Sequence, residues 1–331
     1  MKLKIIPLLV ILIVGLSIFV SGCTDAGDSG NNRSTGQGAE ISGNEEPIIV
    51  AVSVVPQAEF VEKVGGDRVK TVVIVPSGGA DPHTYEPSPK EVKEISKASM
   101  LLTVGGVGMP FEEVWIDRFE SMNSDTLIIN CSEGIELKKL EGYHHHEGEE
   151  GHDEELETGH ENKSEGNHEE LDPHIWTSPP SNAKIMVEEI YEGLVELDPE
   201  NEAYYAQNRD AYLEELDALD TRIREKLEGK EEKNFMVYHP SWGYFAADYG
   251  LNMISVEIEG KEPSAQDLTE LVDLAKEKDV KVIFVQAQFS TRSAEVLAQE
   301  IGGEVVAVDP LAKNYIENMD SVSDIFARNL V

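Results

Sequence analysis

The stretch AYYAQNRDAYLEELDALDTRIREKLEG, residues 203–229, decides the fold. Within it Tyr205, Tyr212, Leu216, Leu219, Ile223 and Leu227 recur at spacings of three, four or seven. That period lines them up as one apolar stripe on a long helix, with charges on the other sides. Helical character extends from about Pro180 to Lys230, and Gly229 beside lysines marks its end, as at many helix C-termini.

On either side of this region strands and helices alternate. Ahead of it, Ile48–Val55, Val69–Val75, Met100–Val104 and Thr126–Asn130 read as apolar strands, with helices around Phe60 and over Pro89–Ser99. Behind it, strands over Asn234–Tyr238, Met253–Ile258, Val280–Val285 and Val305–Val308 alternate with helices over Leu268–Lys278 and Ser293–Ile301. Continuous apolar strands separated by helices predict parallel sheets covered on both faces. The expected fold class is therefore α/β: two lobes, each with a mainly parallel sheet covered by helices, joined by a long rigid helix. The expected boundaries are 47–178 for the first lobe, 179–232 for the helical connection and 233–331 for the second lobe. A length of 331 residues fits about two domains.

Two further regions carry no such pattern. Lys2 and Lys4, the apolar run Ile5–Val20 and the small residues after it read as a signal peptide over 1–22. The run is shorter than the roughly 20 apolar residues of a spanning helix. Val20-Ser21-Gly22-Cys23 resembles a bacterial lipobox, which makes Cys23 the expected lipidated residue; an uncleaved anchor is the alternative. Residues 23–46, rich in Gly, Ser, Asn and Asp, read as a flexible stalk. Either reading places the protein outside the cytoplasm, tethered to the outer face of the cell membrane. Gly142–Glu170, nearly all Glu, Gly and His, reads as a disordered insert in the first lobe. Cys131, the other cysteine, is expected to pack as a small hydrophobe.

Acidic residues outnumber basic ones 64 to 27, a net charge of −37, so nucleic acid is not an expected partner. The nine histidines fall into two groups. His144, His145, His146, His152, His160 and His168 crowd into the acidic insert, where weak auxiliary metal contact is the expectation. His83, His174 and His239 stand alone in structured sequence, each next to a proline. His83, His239 and Asp309 all follow predicted strands, at the edge where open α/β sheets bind ligands. Three imidazoles and a carboxylate suit Zn²⁺ and are tolerable for Mn²⁺. A hydrolytic zinc site would instead need an open coordination place and a nearby base, and no His-Glu-x-x-His pair occurs. An extracellular zinc metallohydrolase is the alternative from another class; an enzyme is not the expectation. Because zinc needs neutral imidazoles, its affinity is expected to fall as the pH drops below about 6.5.

At Asp81-Pro82-His83-Thr84-Tyr85-Glu86-Pro87, Asp172-Pro173-His174-Ile175-Trp176, Tyr238-His239-Pro240-Ser241-Trp242, Glu262-Pro263-Ser264 and Val308-Asp309-Pro310-Leu311 the sequence resembles the ZnuA-like zinc/manganese metal-binding proteins of ABC uptake systems, the cluster A-I lipoproteins. The resemblance spans roughly Pro47 to the C-terminus. It implies two α/β lobes around a metal site in the interlobe cleft, with His83, His174, His239 and Asp309 at the ligand positions. In some zinc members a water completes the site instead. Manganese-preferring relatives commonly place a carboxylate where this chain has His239, so the resemblance implies Zn²⁺, with manganese or iron as the alternative cargo. It implies delivery to an ABC permease with its ATPase subunit, by a monomer anchored through lipid. An adhesin on the same fold is a weaker reading.

Overall fold

The computed structural model describes residues 46–78, 80–105, 109–140, 171–257, 261–289 and 291–330. The signal peptide, Cys23, the stalk and the six insert histidines lie outside the described residues. Among those described, no helix is long and apolar enough to cross a membrane.

The first lobe runs β1 (Ile48–Val54), α1 (Val55–Gly65), β2 (Val69–Val75), α2 (Pro89–Ile95), β3 (Met100–Thr103), α3 (Pro110–Met122) and β4 (Leu127–Asn130). Its four strands are all parallel, in the order β2-β1-β3-β4. Central β1 is apolar but for Ser53 because both its faces are covered, and Val50, Ala51, Val52 and Val54 are fully buried. The second lobe runs β5 (Asn234–Val237), α6 (Gly243–Asp248), β6 (Asn252–Ser255), α7 (Ala265–Glu277), β7 (Val282–Val285), α8 (Arg292–Ile301), β8 (Glu304–Ala307) and α9 (Tyr315–Asn329). Its order, β6-β5-β7-β8, repeats that of the first lobe. Local signals start two of the helices: Ser88 caps α2 against Glu91, and Ser264 caps α7 against Asp267.

The helical connection contains the long helix expected and a second one before it. It is a pair, α4 (Pro180–Leu197) and α5 (Glu202–Leu227), packed against each other and joined by a 3-10 turn over Pro199–Asn201. Pro199 has no N–H to continue α4 and restricts Asp198, whose φ of −143° and ψ of 68° leave the helix. Gly193 brings α4 close to the first sheet: a Cβ there would lie 2.9 Å from Met100 Sδ. The stripe read from the sequence is the buried face of α5.

The larger core cluster takes in both lobes. Phe326 of α9 packs on Phe235 and Phe284 of the second sheet, with ring centroids 5.0 and 4.6 Å apart. At the start of the same helix, Tyr315 meets Phe60 of α1 edge-on at 5.0 Å. A smaller cluster, including Met236, Leu271, Ile283 and Leu297, fills the far side of the second sheet under α7 and α8. Cys131 is a free, fully buried thiol in the larger core.

Candidate metal centre

His83 stands in the turn that follows β2. His174 lies just before the 3-10 turn Ile175–Thr177 that leads into α4, and His239 lies two residues beyond β5. The fold brings the three imidazoles face to face. Their Nε2 atoms are separated by 3.1 Å (His83–His174), 2.8 Å (His174–His239) and 3.2 Å (His239–His83). His174 and His239 are buried, and His83 is partly buried.

What lies behind the rings decides what lies between them. His174 Nδ1–H donates to Asp172 Oδ1 at 2.6 Å, and His239 Nδ1–H to Glu257 Oε2 at 2.7 Å. These carboxylates fix the tautomers, as assigned from the hydrogen-bond network, and leave a bare lone pair on each Nε2. Two lone pairs facing each other at 2.8 Å repel unless a proton or a cation lies between them. A zinc ion about 2.0–2.1 Å from all three nitrogens would sit roughly 1 Å out of their plane. A cavity of about 10 Å³ adjoins the rings, lined also by Trp176, Gln286, Phe289 and Leu311. Phe289 stacks on His239, centroids 4.5 Å apart.

Burial and mutual proximity also keep protons off His83 and His174. Burial, then the neighbouring His174 and His239, push the His83 imidazole down to about 3. Burial likewise holds His174 well below its ordinary value. For these two rings protons compete with a metal only below the pH of about 6.5 at which free imidazoles take them up. Burial pushes the Asp172 carboxyl up to about 7. Its Oδ2 is left without a hydrogen-bond partner, close against Gly243, where a Cβ would lie 2.5 Å away.

Asp309, the fourth donor expected from the sequence, is not among the side chains brought together. Among the described residues the donor group contains His83, His174 and His239 alone. Asp309 is exposed, and its Oδ1 accepts the Leu311 N–H at 2.9 Å. Asp81 accepts the His83 N–H and Asp172 the His174 N–H in the same way, both at 2.9 Å. Three of the chain's four Asp-Pro-x segments, those at Asp81, Asp172 and Asp309, therefore form the same turn, with the carboxylate two residues back closing the loop. In the third, the position of the histidine belongs to Leu311, and Asp309 is the counterpart of Asp81 and Asp172.

Asp172 and Glu257, the carboxylates that hold the two rings, are not among the candidate residues read from the sequence. Asp172 had a signal, since Asp-Pro-His occurs twice. Glu257 needed the strand register. Val237 pairs with Ser255, so residues two beyond each strand end, His239 and Glu257, come side by side.

The profile of the family described as zinc-uptake complex component A, periplasmic (ZnuA), matches residues 50–329. The chain belongs to the ZnuA family. The high-affinity zinc uptake system protein ZnuA of Bacillus subtilis (strain 168) is 30% identical over 306 residues, 90% of each chain. A crystal structure of ZnuA, 36% identical, superposes with a TM-score of 0.74 over 86% of this chain and 99% of that one. A ZnuA deletion mutant with zinc bound, also 36% identical, gives a TM-score of 0.73 over 86% and 98%. The family is one of substrate-binding transport proteins, and the two α/β lobes read from the sequence are its fold.

Proposed function

We propose that this protein captures zinc in the cleft between its lobes and delivers it to an ABC permease driven by an ATPase. The observation that carries this reading is the trio of Nε2 atoms converging within 3.2 Å, with two of the rings held in place by carboxylates on Nδ1. Nitrogen donors favour zinc over manganese. The ZnuA-family relatives named for zinc uptake support the same cargo. In this reading His83, His174 and His239 are the protein ligands. Asp309 stands outside the set, and a water is the fourth donor. The protein binds and releases its cargo without turnover. It acts as a monomer on the outer face of the membrane, held through lipid on Cys23.

The acidic insert is an accessory that collects metal at weak sites through His144, His145, His146, His152, His160 and His168. Leu171 pairs with Lys139 in an antiparallel bridge, and Asp172 N–H donates to Lys138 O at 2.8 Å. The two described ends on either side of the insert are thus joined to each other, which supports a site that stands without it.

A chelator-competition titration of the metal-free protein with zinc and manganese tests the reading. One tight zinc site and weak manganese binding are expected, with the preference moving toward manganese in His239→Glu. A wild-type protein that prefers manganese would sink the assignment.

A further inference from the structure

Helix α9 begins at Tyr315, but Asn314 before it makes no side-chain cap; its amide donates instead to Glu317 at 3.1 Å. The cap comes from the other lobe. Tyr315 N–H donates to Oε2 of Glu59 on α1. The other oxygen of Glu59 accepts from Tyr212 O–H on α5 at 2.7 Å. One half-buried carboxylate thus joins the first lobe, the connecting helix and the second lobe. Tyr315 is itself buried, and its O–H donates at 2.7 Å to Ser178 O, four residues beyond His174. The turn at Asp309–Leu311 lies just upstream, and Asn318 Nδ2 of α9 donates to Asp309 O at 2.8 Å.

We infer that Glu59 is a positioning residue that holds the 308–314 loop against the first lobe and slows escape of metal from the cleft. The inference rests on the proposed function for the identity of the cargo. A first-turn helix amide has no partner within its own helix and needs one from elsewhere. A carboxylate there also meets the positive end of the helix dipole. Parting α9 from α1 along this seam strands the Tyr315 N–H, and hydrogen bonds to a charged acceptor are the costlier ones to break. The neighbouring Lys313–Glu62 pair, at 3.0 Å, is exposed on both sides and contributes little.

The test compares Glu59→Gln with Lys313→Ala in the full-length protein. Glutamine offers one acceptor oxygen for two donors. In the metal-free protein, exchange of the Tyr315 amide is expected to quicken about tenfold, the scale of one lost hydrogen bond to a charged group. Zinc dissociation into excess chelator should quicken by a similar factor, with the stoichiometry still one per chain. Lys313→Ala should stay within about twofold of wild type in both measurements. A Glu59→Gln variant that loads zinc fully and releases it at the wild-type rate overturns the inference. If the wild-type protein takes up no zinc, the proposed function fails, and amide exchange alone decides on Glu59: an unchanged Tyr315 rate rejects it. If Glu59→Gln does not fold, Tyr212→Phe removes one of the two bonds. It must shift amide exchange and release in the same direction, and wild-type rates in that variant reject the inference.

Discussion

The two lobes share one strand order and use it differently. In the first sheet the turn after edge strand β2 carries His83, and the turn after central β1 runs straight into α1. In the second sheet the equivalent central turn, after β5, carries His239, and the edge turn after β6 carries Glu257 to support it. The first lobe thus contributes a histidine whose one carboxylate hydrogen bond among the described residues reaches its backbone, through Asp81. The second contributes a histidine whose ring is fixed. His174 belongs to neither sheet, yet its ring is fixed as well, by Asp172. Topology alone did not distribute the chemistry; the residues placed at the carboxyl ends did.

The largest effect should come from the ligand that stands outside both sheets. His174→Ala removes the central nitrogen and the bond to Asp172. Zinc affinity should fall by well over 100-fold, more than the 10–100-fold usual for an outer partner of a ligand. Competition titration checks this, and near-normal affinity would mean that the cleft does not bind through these rings.

A sharper test sets the two sheets against each other. Glu257→Gln should cost about 10–100-fold in zinc affinity, because it unfixes the tautomer and orientation of His239. Asp81→Asn should cost less than about tenfold, since Asp81 touches the His83 backbone and leaves its ring alone. Equal losses would erase the distinction between the lobes.

Acid should expose the His83 environment in the metal-free protein. An unfolded chain protonates this imidazole near pH 6.5, whereas the folded chain holds it neutral down to about 3. Between those limits the unfolded state binds the extra proton, so stability is lost as the pH falls. Asp172, pushed up to about 7, acts in the opposite direction by taking a proton in the folded state first. The loss of thermal stability between pH 7 and pH 5 should therefore shrink in His83→Ala. An unchanged loss would show that burial does not suppress the charge of His83.

The smallest effect should follow removal of residues 142–169. The tight site should change by less than about 0.5 kcal/mol, the scale of ordinary surface changes, while weaker zinc sites disappear. Calorimetry resolves the two classes. Loss of the tight site would make the insert part of the centre.

Much of the fold could be read in the sequence because its signals are local. Apolar strands such as Val50–Val54 and the stripe from Tyr205 to Leu227 declare their elements through neighbours a few residues apart. Other features were not read. Helices α3, α6 and α9 went unassigned, and the break at Pro199 was absorbed into one long helical period. The histidines stood out by rarity and by the prolines beside them. Their carboxylate partners did not, because Glu257 meets His239 through pairing between β5 and β6 rather than through any local word. Asp309 is the opposite case. Its local word matches that of the ligand loops, but the structure gives its carboxylate the work of closing the turn.

The thrice-used Asp-Pro-x turn divides labour within three residues. The aspartate and the proline build the bend, and the third residue is what the bend presents. His83, His174 and Leu311 all line the same small cavity. A framework made this way can alter its chemistry at one letter without redrawing its backbone, which makes each third position a natural place for selectivity to drift between related chains.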